Sequence, residues 1–476
     1  MSHRTALALS ISYFIAALYC VIAASNVWPA IDGDGAAYFT PAVEWSRGHA
    51  LVNPVWLPPL NDSIDGSGSR RYVYHGFLYQ MVVGKIGRSL GAAPGGAVRA
   101  AYLIHWLAAV LTSAAILIWS QFTGIWRTLA AIVLPIAMLA LSVSCHGRME
   151  PLAILLIGAA TLCWYFVASP WRETCVGITV SLLAFTSPTC GALAGVVLLI
   201  ALFAVREPIR LEQVFGAAIG MLCASVAAIW WYPYPISDWI GGVWRHSHIY
   251  VSLTPFQGFV TTWLTRPDLP SFLLSFGVIA IGAISWLFHR GREINRGWIL
   301  WIPAFVFMLA LWRLAFVKSE AVYNAVVWTP LLACLAAANR QSSLRAAMLV
   351  LALLAPVAGL TRNALLLASS RSEAPSFAQL HERLATVDHG ELAVSSGLWL
   401  AVDNPVRVQV TPSDAPTGST FVEQQAYTGR SSPRQYDGYR LVENRFGPPI
   451  TLLGLPISRG SSGWSYAVYV RDITAQ

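Results

Sequence analysis

The sequence predicts an all-α polytopic membrane protein of about eleven transmembrane helices, followed by a small C-terminal α+β or mainly β domain on the extracytoplasmic side. Three observations carry that class. Of 476 residues, 56% are hydrophobic and 11% charged, less than half the roughly 25% charged residues of a soluble domain. Apolar runs of about 20 residues, the length that crosses a hydrocarbon core of about 30 Å, recur along the first three quarters of the chain. After residue 371 the pattern changes: the tail is polar, has turn signals at Asp403-Asn404-Pro405 and Gly447-Pro448-Pro449, and alternates over Arg407–Val410 and Tyr466–Val470. The expected division is a transmembrane domain over 1–371, with an outer loop at 28–97, and an extracytoplasmic domain over 372–476.

The expected spans are about 6–27, 98–120, 126–145, 151–168, 174–187, 190–205, 214–232, 271–289, 297–316, 321–339 and 344–369. Residues 174–205 read either as two short helices broken at Ser187-Pro188-Thr189 or as one kinked helix. The first run, longer than a signal-peptide core, reads as a retained helix. Orientation follows from positive charge. Arg4, Arg127, Arg172, Arg206, Arg210, Arg290, Arg292, Arg296, Arg340 and Arg345 fall on one set of alternate connections, and the opposite tight turns hold Arg148 and Lys318. Lys and Arg mark the cytoplasmic side, so the N-terminus is expected inside and the C-terminal domain outside. Short inner loops point to a bacterial inner membrane.

Composition also excludes function classes. The net charge of +8 comes from 31 Lys and Arg against 23 Asp and Glu, but the basic residues stand singly between apolar runs, so nucleic acid is not an expected partner. Seven cysteines, at 20, 145, 163, 175, 190, 223 and 334, lie in or beside apolar runs without a CxxC pair, which fits neither a disulfide framework nor a zinc site. Span centres nearly free of charge argue against a transporter or proton pump, which would place ionisable groups or broken helices at the midplane.

This topology sorts the polar mass, at 28–97, 233–270 and 372–476, onto one face, and the candidates for chemistry are found there. Asp32-Gly33-Asp34 follows the first span; two neighbouring acids can tune one another as a base or bind a divalent cation such as Mg or Mn with a phosphate, although Asp-Gly is also a common turn former. Glu150 opens the fourth span, where the helix dipole alone would favour an acid. Arg148, Lys318 and Arg313 stand at or near the outer mouths of spans, suited to phosphate or to interface anchoring. His49, His75, His146, His246 and His248 fall on the outer face, with His246-Ser247-His248 beside Arg245; His-x-His alone supplies two of the four ligands a structural zinc takes. Tyr38, Tyr74 and Trp244 suit a sugar, and equally the aromatic belt of a membrane interface.

Several of these segments resemble GT-C glycosyltransferases, in the branch of protein O-mannosyltransferases and the lipid A aminoarabinose transferase. Asp34 to Tyr38, followed by Ala42, Arg47 and Gly48, is similar to that family's acidic residue with Tyr four positions later and a helix ending in Gly. Tyr74 to Gly87 resembles the amphipathic segment that closes the first outer loop, with His75-Gly76 in place of the usual Pro pair. His146 to Leu152 resembles the second outer turn, where an acid opens the fourth span, and Lys318 to Pro330 resembles the opening of the penultimate span.

The resemblance implies transfer of a sugar from a polyprenyl-phosphate donor to a lipid, glycan or protein acceptor of the cell envelope, as in lipopolysaccharide modification on the periplasmic side. It implies Asp34 as base, Asp32 and Glu150 as further carboxylates, and Arg148, Lys318, Arg313 and His75 around the donor phosphate. Tyr38, Tyr74, Arg245, His246 and His248 would face the acceptor or sugar. Gly33 between the acids leaves both a metal-free base and a metal-binding Asp-x-Asp open, and Ser187-Pro188 lacks the Lys common beside that Pro. The competing classes are an O-antigen ligase or polymerase, expected to carry its catalytic loop late in the chain, a multi-span transporter and a non-catalytic membrane subunit.

Overall fold

The computed structural model describes residues 2–27, 33–55, 71–119, 122–143, 145–188, 210–251, 377–388, 391–403, 419–424, 433–445 and 466–471, with a few isolated residues and short strands between them. The expected spans over 190–205 and 271–369, and with them Arg313 and Lys318, lie outside the described residues, as does Asp32.

Helix α1 (His3–Ser25) starts where the Ser2 hydroxyl accepts the Thr5 N–H, and it ends at Asn26, whose amide donates back to the Ile22 carbonyl at 2.7 Å. Thr5, Ala8, Ser12, Ala16, Cys20 and Ala23 are buried, at intervals of three and four, whereas Leu7, Ile11, Phe14, Leu18 and Val21 are exposed. Small residues facing neighbours and large apolar ones facing outward is the pattern of a helix solvated by lipid. Helices α4 (Gly95–Trp119) and α5 (Gly124–Val143) pack against α1; Tyr13 donates to the Val110 carbonyl at 3.1 Å and Trp106 to the Tyr13 carbonyl at 3.2 Å. Helix α6 (Glu150–Phe166) runs beside α4.

Helices α7 (Trp171–Thr186) and α8 (Leu211–Trp231) form the tightest helix pair. Gly216, Gly220, Ala224 and Ala228 make the buried stripe of α8, and a Cβ at Gly220 would strike the Thr174 carbonyl. The chain leaves the helix at Ser187, which is extended. Helices α1, α4, α5 and α8 have the length and apolar composition to cross a membrane.

Between α1 and α4 the described residues hold two helices. Helix α2 (Gly33–Arg47) packs on amphipathic α3 (Leu78–Leu90), and α3 in turn on α4. Helix α9 (Ile236–Val251) follows α8 after a short turn.

The tail contributes α10 (Phe377–Ala385) and a four-stranded sheet of β1 (Leu392–Val394), β2 (Thr420–Gln424), β3 (Tyr439–Arg445) and β6 (Tyr466–Arg471), in the order β1-β2-β6-β3. The β1–β2 pair is parallel and the others antiparallel; β4 (Thr451–Leu452) and β5 (Leu455–Pro456) pair separately. The alternation over Tyr466–Val470 predicts a strand with one wet face. A strand forms, in the sheet interior between β2 and β3, but Tyr466, Ala467, Val468 and Tyr469 are all buried. A 3-10 helix (Ser396–Ala401) carries the tail onto α2, where Arg47 donates to the Val402 carbonyl at 2.8 Å.

Candidate active site

Four segments converge: α2, the irregular stretch 71–77, the turn 145–149 leading into α6, and α9. Tyr38, one turn along α2 from Asp34, is buried, and its hydroxyl shares a 3.0 Å hydrogen bond with His75 Nε2. The His75 ring stands edge-on to Tyr38 at 4.7 Å, to Tyr74 at 5.4 Å and to His246 at 4.2 Å. The Arg148 guanidinium carbon lies 4.9 Å from the centre of the Tyr38 ring, and its Nε lies 3.4 Å from Glu150 Oε2. Six of the residues singled out from the sequence, Tyr38, Tyr74, His75, Arg148, Glu150 and His246, thus form one connected cluster.

The backbone explains why they meet. Glu150 is the first residue of α6, with Pro151 behind it, so the acid sits at a helix start where partial positive charge favours it. Glu150 is fully buried, and among the described residues its Oε1 has no hydrogen-bond partner. His246 is buried while its neighbours Trp244 and Arg245 are exposed, as expected for consecutive positions around a helix. Asp34 lies in the first turn of α2, so its Cα is one helical turn from that of Tyr38. His248 lies in α9. His49 is drawn elsewhere, to the buried carboxylate of Glu44 at 2.7 Å, which also takes Arg47 at 2.9 Å.

A shell of polar residues without a sequence signal supports the cluster. The Asn53 amide donates to the Ala37 carbonyl at 2.9 Å and to the Tyr74 hydroxyl. Gln80 donates to the Tyr38 carbonyl at 3.1 Å and to the Tyr72 hydroxyl at 2.9 Å. Burial, more than any neighbour, pushes the Tyr72 and Tyr79 hydroxyls above the usual phenol range, so both are neutral. Behind the turn, His105 bonds Ser142 at 2.8 Å and His146 at 3.0 Å. Burial pushes His146 down to about 3, which keeps it uncharged at neutral pH. His105 had a readable signal, a polar ring in the apolar run 98–119, and mid-span polar groups are functional suspects.

Chemically, the cluster offers a guanidinium, two imidazoles and two phenols, and Glu150 balances the guanidinium. It suits an anion with a polar, hydroxyl-bearing neighbour. Among the described residues no three His, Cys, Asp or Glu side chains come together as a metal site.

No family model matches the sequence, and neither does any curated protein sequence. Among solved structures the chain is similar to ArnT from Cupriavidus metallidurans bound to undecaprenyl phosphate, with a TM-score of 0.57, 13% identity and an alignment covering 98% of each chain. The chain has a GT-C-like fold.

Proposed function

We propose that this protein is a GT-C membrane glycosyltransferase that moves a sugar from a polyprenyl-phosphate donor to a cell-envelope acceptor on the extracytoplasmic face of a bacterial inner membrane. The observation that carries the reading is the cluster itself: Tyr38, His75, His246, Arg148 and Glu150 meet one helical turn from Asp34. The likeness to a structure described as bound to undecaprenyl phosphate supports a polyprenyl-phosphate partner.

Direct displacement at the anomeric carbon makes a bond to an acceptor oxygen and breaks the bond to the donor phosphate. The acceptor loses a proton, and Asp34 is the base that takes it. The departing phosphate gains charge and needs cations and donors already in place. Arg148 supplies a guanidinium, but Glu150 neutralises much of it, so further positive charge comes from the basic residues Lys318 and Arg313, and His75 and His246 contribute imidazole nitrogens as hydrogen-bonding groups. Tyr38 and Tyr74 orient the sugar, and Arg245 and His248 lie on the acceptor side. A divalent cation on Asp32 and Asp34, if used, would take part of the phosphate charge.

The test uses the purified full chain in detergent with a panel of synthetic undecaprenyl-phosphate pentoses and hexoses as donors and a detergent extract of bacterial envelope lipids, glycans and proteins as acceptor, reading release of undecaprenyl phosphate by mass spectrometry. Wild type should turn over at least one of them, and Asp34→Asn should lower that rate by about 100-fold or more without altering purification behaviour. Near-normal turnover by Asp34→Asn removes it as the base. Repeating the assay with EDTA, then with added Mg or Mn, separates the metal-free base from the metal-binding pair.

A further inference from the structure

The segment Arg71–Phe77, which carries Tyr72, Tyr74 and His75, belongs to no helix, and its described ladder contact is a single antiparallel bridge between Arg71 and Val52. Extended backbone with so little ladder must satisfy its carbonyls by other means. Two of these carbonyls, those of Tyr72 and His75, are taken from the corner where α8 ends and α9 begins. Tyr232 donates to the Tyr72 carbonyl at 3.0 Å, and Trp239 Nε1 donates to the His75 carbonyl at 2.7 Å. Asp238 pairs with Arg71 at 2.7 Å, and Tyr234 donates to the Leu51 carbonyl at 2.8 Å. Gly242 lies so close under Val73 that a Cβ there would strike the Val73 carbonyl.

The geometry points to Trp239 as a positioning residue: its indole N–H fixes the main chain of His75 and thereby holds the imidazole between Tyr38 and His246. The ring of His75 must satisfy a 3.0 Å hydrogen bond and a 4.2 Å edge contact together. A main-chain shift of about 1 Å would take the Tyr38 bond beyond hydrogen-bond range. The indole is itself held, by Phe77 at 5.6 Å and Phe185 at 5.4 Å. Trp239 and His246 are seven residues apart on α9, two turns along one face, so a single helix anchors the backbone of His75 and packs against its ring. Tyr234 acts through Leu51, a residue outside this cluster, and provides the internal control.

The consequence for transfer rests on the proposed role of the cluster in binding the donor phosphate. Trp239→Phe keeps an aromatic ring and removes the N–H. With an undecaprenyl-phosphate sugar accepted by wild type, donor KM should rise about 5- to 30-fold, the effect of losing one well-placed hydrogen bond, with kcat changed less than about two-fold. In a His75→Ala background the same substitution should add less than about two-fold, because the two act through one group. Tyr234→Phe should leave donor KM within about two-fold of wild type.

A second readout needs no turnover: carbethoxylation of His75 by diethyl pyrocarbonate, followed by peptide mass spectrometry. It should be about five-fold or more faster in Trp239→Phe, and Trp239→His, which restores a ring N–H, should slow it again. Unchanged donor KM with unchanged labelling overturns the proposal, and so does an undiminished KM effect in the His75→Ala background. Should Trp239→Phe fail to accumulate, Trp239→Met, which also lacks the N–H, and wild type are compared by labelling alone, where a rate several-fold above wild type supports the role and equal rates overturn it. Labelling that changes as expected, in a protein that turns over no undecaprenyl-phosphate sugar, sustains the positioning role and removes the donor reading.

Discussion

Removing both members of the Arg148–Glu150 pair should cost less than the sum of removing each alone. The two groups lie 3.4 Å apart, with side chains 8% and 0% exposed. At an effective dielectric of about 20 their attraction is about 5 kcal/mol, but most of that offsets desolvation, so the net worth of the pair is small. Arg148→Ala leaves a fully buried carboxylate whose Oε1 already lacks a hydrogen bond among the described residues, and breaking a buried pair from one side costs about 3–5 kcal/mol. The 3.4 Å separation puts the expectation near the lower figure. Glu150→Gln should cost less, because the guanidinium keeps its place over the Tyr38 ring. The double variant Arg148→Ala with Glu150→Gln should fall short of the sum of the singles by about 2 kcal/mol. Unfolding by SDS titration in mixed micelles, followed by far-ultraviolet circular dichroism, measures all three. Additive costs, or a loss below about 1 kcal/mol for Arg148→Ala, would refute the view of these residues as a coupled buried pair.

Acid should weaken the fold through His146. The unfolded chain titrates this group near 6.5 and burial in the folded chain pushes it down to about 3, so between those values the unfolded state holds the extra proton and stability falls with pH. His146→Gln should flatten the unfolding midpoint over that window, and a slope equal to wild type would count against the assignment. Gly220→Leu should separate α7 from α8, because the new side chain meets the Thr174 backbone rather than a flexible neighbour. The expected cost is about 1–3 kcal/mol or more, read as a lower detergent-melting temperature, and wild-type melting would refute the packing.

Much of the frame was legible in the residues. The stripe from Thr5 to Ala23, the apolar runs of α4 and α5 and the break before Pro188 all follow from local periodicity and backbone chemistry. The same is true of the helix from Asp34 past Tyr38 to Arg47 and of Glu150 at a helix start, because short motifs report local geometry. His105, Asn53, Gln80 and Trp239 were not singled out. Asn53 and Gln80 carry no periodic signal, and an indole at an interface looks like a membrane anchor until its hydrogen-bond partner is known.

By itself, the sequence determined that this chain lives in a membrane and that its polar candidates gather in a few segments, because hydrophobic length and the scarcity of charge are properties of composition and order. Only the tertiary structure decided that Tyr38, Tyr74, His75, Arg148, Glu150 and His246 are neighbours, although more than 200 residues separate Tyr38 from His246. Contacts at that separation depend on how α2, the 71–77 segment, the turn before α6 and α9 pack against one another. That packing depends on many close approaches, such as Gly220 under Thr174 and Gly242 under Val73, which no local pattern encodes.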